Sequence, residues 1–152
     1  MDEDRMRPLV YTSFFALVSV YGVMVLGSYV SAAGLGLSCI DWPTCRGSFL
    51  PSEEIMAEWV HRLFALMAGI SVVTMAALSW RVRNSRLRLT ATLAAVFVIT
   101  QIVLGVIVID SRLHPLIVSI HLGIGTLLFA STLLTAIAAN RMYRENLKSV
   151  SE

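Results

Sequence analysis

The chain has 152 residues, 57% of them hydrophobic and 14% charged, and its mean hydropathy of +0.75 is far above that of a water-soluble domain of this size. An ordinary cytosolic enzyme is excluded. Twelve Lys and Arg against ten Asp and Glu leave a net charge of +2, with the basic residues in small scattered clusters; this gives neither a nucleic-acid-binding face nor a disordered tail, and no nucleic-acid partner is expected.

In chain order, four nearly uncharged stretches are each long enough to cross a hydrocarbon core of roughly 30 Å. They predict helices at about residues 9–31, 55–80, 88–109 and 115–140, with an outer loop over 32–54. In lipid only a helix satisfies the backbone of such a segment internally. The expected fold is therefore all-α, an integral membrane four-helix bundle forming one domain over residues 1–152. The first stretch is too long in its apolar core to read as a cleavable signal peptide. Arg5, Arg7, Arg81, Arg83, Arg86, Arg88, Arg141, Arg144 and Lys148 cluster on one side, and only Arg46, Arg62 and Arg112 on the other. The positive-inside rule then puts both termini in the cytoplasm and the 32–54 loop outside a plasma membrane, with lipid as the surrounding partner.

That outer loop carries Cys39 and Cys45, the two cysteines of the chain, in a run containing Gly34, Gly36, Pro43 and Gly47. In an oxidising compartment a disulfide is the first reading, either as a staple for the loop or as a pair that cycles with its dithiol. Two isolated cysteines are too few for a closed structural zinc site.

On the second helix Glu58, His61 and Arg62 are spaced i, i+3 and i+4 and share one face. His121 on the fourth helix lies about 9 Å past Pro115 at helical rise, a depth matched by His61. His114, just before Pro115, reads as a helix-entry residue. Ionisable groups inside membrane helices are costly and usually face a bundle interior. Ala65, Ala68 and Gly69 follow His61, and Gly123 and Gly125 follow His121. Such small residues either let helices pack closely or leave room for a flat macrocycle between them. Two neutral imidazoles would complete the axial ligation of a porphyrin iron, whereas zinc or copper would need more ligands. Gln101 on the third helix lies at similar depth, with Gly105 one turn away; it either bonds a neighbouring helix or belongs to the same cavity. Glu58 and Arg62 form either a plain i,i+4 ion pair or, respectively, a base and a partner for cofactor carboxylates.

The run Gly34-Leu-Gly-Leu-Ser-Cys-Ile-Asp-Trp-Pro-Thr-Cys-Arg-Gly47, then Glu58-Trp-Val-His-Arg62, Gln101-Ile-Val-Leu-Gly105, Leu113-His-Pro115 and His121-Leu122 together resemble the heme A synthase family, in order and over all four helices. The chain departs from the family pattern at Ser31 and Ala33, where members carry arginine and threonine, and at Ile40, where they carry proline. It is similar to the compact, half-length archaeal type and to the first half of the eight-helix form. The resemblance implies an oxidoreductase that oxidises the C8 methyl of heme O to the formyl of heme A, for cytochrome oxidase biogenesis. It implies heme b as cofactor, heme O as substrate and heme A as product. It makes His61 and His121 ligands of heme iron, Glu58 the catalytic carboxylate, Arg62 and Gln101 cofactor-binding residues, and Cys39 with Cys45 the redox or structural pair. Because one half has a single histidine pair, a homo-oligomer is expected, with heme O synthase or an electron acceptor as further partners. Two other classes share part of the pattern: a bis-histidine heme b electron-transfer protein, and a non-enzymatic heme carrier or oxidase assembly factor.

Overall fold

The computed structural model describes residues 3–38 and 55–151. Among them stand four helices, α1 (Glu3–Ala32), α2 (Met56–Ser79), α3 (Ser85–Asp110) and α4 (Pro115–Ser151), all long and apolar enough to cross a membrane. Two of them outrun the apolar stretches. α1 starts six residues before the expected point and α4 runs eleven residues past it. Hydropathy marks only the part of a helix that lipid can accept, and the polar turns beyond continue because their i→i−4 bonds need no apolar face. At 37 residues, α4 is about 55 Å long, well beyond a hydrocarbon core of roughly 30 Å.

Each helix packs on two neighbours, α1 on α2 and α4, α3 on α2 and α4, so α2 and α4 stand diagonally across the bundle. The start of α1, the end of α4 and the α2–α3 link lie at one end, the end of α1, the start of α2 and the α3–α4 link at the other. Burial is uneven along this axis. The terminal half is solid: Met6, Leu9, Ala16 and Val20 of α1, Ala68, Val72 and Met75 of α2, Leu87, Ala91, Ala94 and Val98 of α3, and Leu128 and Ala139 of α4 are buried together. In lipid, burial of apolar surface drives little; small side chains that let backbones approach, and dispersion between them, do more. Ser13, Ser71, Ser79, Thr132 and Thr135 are buried there too, each hydroxyl donating to a carbonyl three or four residues back. Thr135 also bonds Thr90 across the α3–α4 seam at 2.9 Å. In the loop half, among the described residues, the buried side chains come down to Val30, Ile55 and Glu58.

The burial pattern exposes an internal repeat. Residues 9–35 laid on 87–113 coincide at Leu9/Leu87, Thr12/Thr90, Ala16/Ala94, Val18/Val96, Val20/Val98, Val25/Val103, Leu26/Leu104, Gly27/Gly105, Val30/Val108 and Leu35/Leu113. The buried positions Leu9, Ser13, Ala16 and Val20 of α1 fall on the buried Leu87, Ala91, Ala94 and Val98 of α3. In α2 and α4, with His61 laid on His121, buried Ala68, Ser71, Val72, Met75 and Ser79 fall on buried Leu128, Ser131, Thr132, Thr135 and Ala139. The bundle is thus two like hairpins, α1–α2 and α3–α4.

Even the helix ends match. α1 closes with Leu35 N–H to Val30 O and Gly34 N–H to Ser31 O, α3 with Leu113 N–H to Val108 O and Arg112 N–H to Ile109 O. Both are the paired closing bonds of a Schellman end, which needs a left-handed residue. Gly34 supplies it at φ 70°, whereas Arg112 and Leu113 adopt φ 50° and 62° with side chains attached, a strain of about 1 kcal/mol or more each. Leu113 then packs on Gly36, where a Cβ would stand 3.2 Å from it.

At the terminal end Asn84 caps α3 by accepting from Leu87 N–H at 3.0 Å, and its amide reaches Met142 Sδ of α4. Arg88 donates to Val82 O and Trp80 O while lying over the Trp80 ring, so the α2–α3 link is tied on both sides.

Candidate functional site

The polar groups of the bundle interior collect where the solid half gives way to the loop half. His61 of α2 lies against Gly27 of α1: a Cβ there would be 2.9 Å from His61 Cε1. In the second hairpin His121 of α4 lies against Gly105 of α3, at 3.8 Å from the corresponding Cβ position. Each imidazole is therefore seated on the equivalent glycine of its own hairpin. The two rings stand on diagonal helices, and each turns onto the neighbouring helix of its own hairpin.

Gln101 completes the second seat from the opposite direction. Its Nε2 donates to His121 O at 2.9 Å, and the amide lies so close to Gly125 that a Cβ there would be 2.5 Å from Nε2. α3 offers Gln101 and Gly105, α4 offers Gly125 and His121, and each long side chain fills the gap left by the other helix's glycine. The bond to a neighbouring helix expected of Gln101 is present, and it is made to the backbone of the histidine itself. Among the described residues the buried side-chain polar atoms without a hydrogen-bond partner are His61 Nδ1, His121 Nδ1 and Gln101 Oε1. All three belong to this cluster. An unmet buried polar atom costs about 1–3 kcal/mol, so among the described residues this cluster is where a polar or metallic partner would relieve most.

Glu58, one turn before His61, is 4% exposed. Its Oε1 accepts from Arg62 Nη2 at 2.7 Å, the i,i+4 ion pair anticipated from the spacing. In the second hairpin the matching positions are Val118 and Leu122, so the two imidazoles share a scaffold but have different neighbours.

Not every residue singled out from the sequence comes to this place. Gly123 faces open space, with nothing within 4 Å of its Cβ position, and is no part of the seat. His114 is exposed just before α4, as a helix-entry residue should be, and Arg112 is exposed in the α3–α4 turn. Cys39, Cys45 and Arg46 lie outside the described residues. The residue that sequence reasoning missed is Gly27; the signal that finds it is the repeated Val-Leu-Gly at 25–27 and 103–105.

These features define a class: an all-helical, multi-pass membrane protein with a pair of imidazoles, each on a glycine seat, and a buried acid beside one of them. Comparison with known proteins agrees with it. The sequence model of the cytochrome oxidase assembly protein family matches residues 52–151, and the chain belongs to that family. Similar proteins include the heme A synthase of Bacillus pumilus, 31% identical over 147 residues, covering 93% of this chain and 47% of the relative. The heme A synthase of Bacillus cereus is 36% identical over 132 residues, 82% of this chain and 41% of the relative. A protoheme IX farnesyltransferase of Halobacterium salinarum is 36% identical over 119 residues, 76% of this chain and 26% of that protein. The chain thus spans less than half of the length of these relatives.

Proposed function

We propose that this chain oxidises a methyl substituent of heme O to the formyl group of heme A, in the service of cytochrome oxidase assembly. The observation that carries the reading is the pair of imidazoles, each with a buried Nδ1 that has no hydrogen-bond partner, on glycine seats in two equivalent hairpins. A flat iron porphyrin fits such residues: its iron would take two neutral imidazoles, and the glycines at 27 and 105 let each ring lie close against the neighbouring helix. His61 and His121 would then hold the heme iron, and heme b as resident cofactor would use the same donor chemistry. The similarity to two heme A synthases supports the reaction, and the similarity to a protoheme farnesyltransferase supports a farnesylated heme as substrate.

Bound iron supplies the oxidising chemistry. The protein's part is position and field. Glu58 lies one helical turn from His61 and is held as the partner of Arg62, so its carboxylate is oriented and ready to take a proton from the carbon being oxidised. Arg62 holds that carboxylate in place through the 2.7 Å bond and brings positive charge toward the propionates. Gln101 fixes the backbone of the second ligand. A farnesyl tail favours lateral entry from lipid over extraction into water.

The whole chain acts as one four-helix domain in the plasma membrane, with both termini cytoplasmic and the loop carrying Cys39 and Cys45 outside, as the distribution of basic residues supports. Those cysteines form a disulfide there, structural or cycling with its dithiol. We take the protein to work as a homo-oligomer, with heme O synthase and an electron acceptor as transient partners.

Expression in a host that makes heme O but lacks its own synthase, followed by extraction and chromatography of the hemes, tests the activity. Heme A in the extract is the expected result. Bound heme with no heme A would turn the reading into electron transfer or carriage, and a purified protein free of any heme would overturn the ligand assignment.

A further inference from the structure

We propose that Gln101 is a specificity-determining residue: its side-chain oxygen accepts a hydrogen bond from a hydroxyl on the alkyl substituent that distinguishes a farnesylated heme from protoheme. The inference rests on the heme reading above and adds the group by which the substrate is told apart. The amide's orientation is fixed by its partner. A helix carbonyl can only accept, so the nitrogen must face His121 O, and the bond of 2.9 Å leaves Oε1 as an acceptor facing away from α4. That oxygen is buried and has no partner among the described residues.

The ligand chemistry then narrows the donor. Around an iron-loaded protoporphyrin stand methyl groups, vinyl groups and ionised propionates, none of which can donate. Farnesyl addition to a vinyl group leaves a hydroxyl on the carbon next to the ring, the one neutral donor on the periphery. Gln101 lies one turn deeper in the bundle than Gly105, the seat of the His121 ring, and so away from the loop end with its arginines. The repeat isolates the same residue independently: at the equivalent position of the first hairpin stands Val23. A polar group on one side only of a like pair of ligands is what recognition of an unsymmetrical macrocycle requires.

The test separates the hydroxyl from the tail. Purified protein is titrated with iron haematoporphyrin, which carries hydroxyethyl groups in place of the vinyls and no tail, and with iron mesoporphyrin, which carries plain ethyl groups. The low-spin bis-imidazole absorption reports binding. We expect the hydroxylated porphyrin to bind about fivefold or more tightly, although its greater solubility in water works against it. Gln101→Leu should bring the ratio to one or below, whatever it does to the affinity for iron mesoporphyrin itself. Gly125→Ala, whose Cβ would stand 2.5 Å from Nε2, should lower the ratio by displacing the amide without deleting it. Any loss of His121 positioning weakens both porphyrins alike and cancels in the ratio. Equal affinities in the unaltered protein, or a preference that survives Gln101→Leu, would overturn the proposal and leave the heme reading standing. Absence of the low-spin spectrum with both porphyrins would overturn the two together.

Discussion

Around His61 the α1–α2 hairpin places a buried carboxylate and a guanidinium, Glu58 and Arg62, whereas around His121 the α3–α4 hairpin places Val118 and Leu122 and, from α3, Gln101. The backbones that carry these groups are alike, down to the buried positions and the closing bonds of α1 and α3. Where a repeated scaffold keeps its packing residues and changes its polar ones, the shared part reports what both halves must do and the changed part what only one does. Shared are the imidazole and its glycine; changed are the acid, the base and the amide. The comparison therefore separates holding a ligand from acting on it.

The largest effect should come from breaking what is shared. Replacing either His61 or His121 with Ala should abolish the low-spin bis-imidazole spectrum of the purified protein. If the hairpins grip one iron from two sides, the two variants should resemble each other. A spectrum unchanged in one of them would mean that the hairpins are alike in fold only.

Next in size is the changed acid. Glu58→Val, which copies the second hairpin's Val118, should remove heme A from the extract while leaving bound heme and its spectrum in place. It also strips a mostly buried Arg62 of its carboxylate, whose side chain is 5% exposed against 14% for the arginine. An uncompensated buried charge costs up to 3–5 kcal/mol; with partial exposure of Arg62 we expect about 1–3 kcal/mol, read as a lower thermal midpoint. Product formation at the normal rate by Glu58→Val would remove the acid from the mechanism.

The seats sharpen the comparison further, because they are not equally tight. In Gly27→Ala the new Cβ would stand 2.9 Å from His61 Cε1, so the ring must move; in Gly105→Ala it would stand 3.8 Å from His121 Cε1, an ordinary contact. Overpacking of this kind costs about 1–3 kcal/mol, whereas alanine for glycine within a helix is favourable by up to about 1 kcal/mol. Gly27→Ala should weaken heme binding and broaden the spectrum, and Gly105→Ala should leave both close to normal. The reverse order would contradict the geometry of the seats.

How much of this was legible in the sequence depends on which interaction fixes each feature. The four helices were, because lipid penalises charge and unpaired backbone so heavily that composition alone marks the spans. His61, His121, Glu58 and Arg62 stood out because ionisable side chains are scarce in such segments. Gly27 did not, since glycine is common in membrane helices and only the ring resting on it gives it meaning. The part played by Gln101 was half legible: its depth could be counted, but the partner of its nitrogen and the loneliness of its oxygen are facts of side-chain placement. The extra turns of α1 and α4 were invisible to hydropathy because they lie where the helix no longer needs to be apolar.

The smallest effect lies at the matched helix ends. Gly34 and Arg112 occupy the same left-handed position of the two hairpins, at φ 70° and 50°. Glycine adopts that region without cost, whereas a residue with a Cβ is strained there by about 1 kcal/mol. Arg112→Gly should therefore raise the stability of the protein, offset in part by the freedom that glycine gives the unfolded chain, for a net gain below about 1 kcal/mol. Gly34→Arg should lower it by about 1 kcal/mol, and the double exchange should come out near zero if the hairpins fold as equivalent units. A shift of a few degrees or less in the thermal midpoint is the readout. Should Arg112→Gly instead destabilise the protein or weaken heme retention, the strained arginine would be held in place by a ligand contact and not by the accident of repetition. The α3–α4 turn would then join Glu58 and Gln101 among the places where the difference between the two hairpins bears on the ligand.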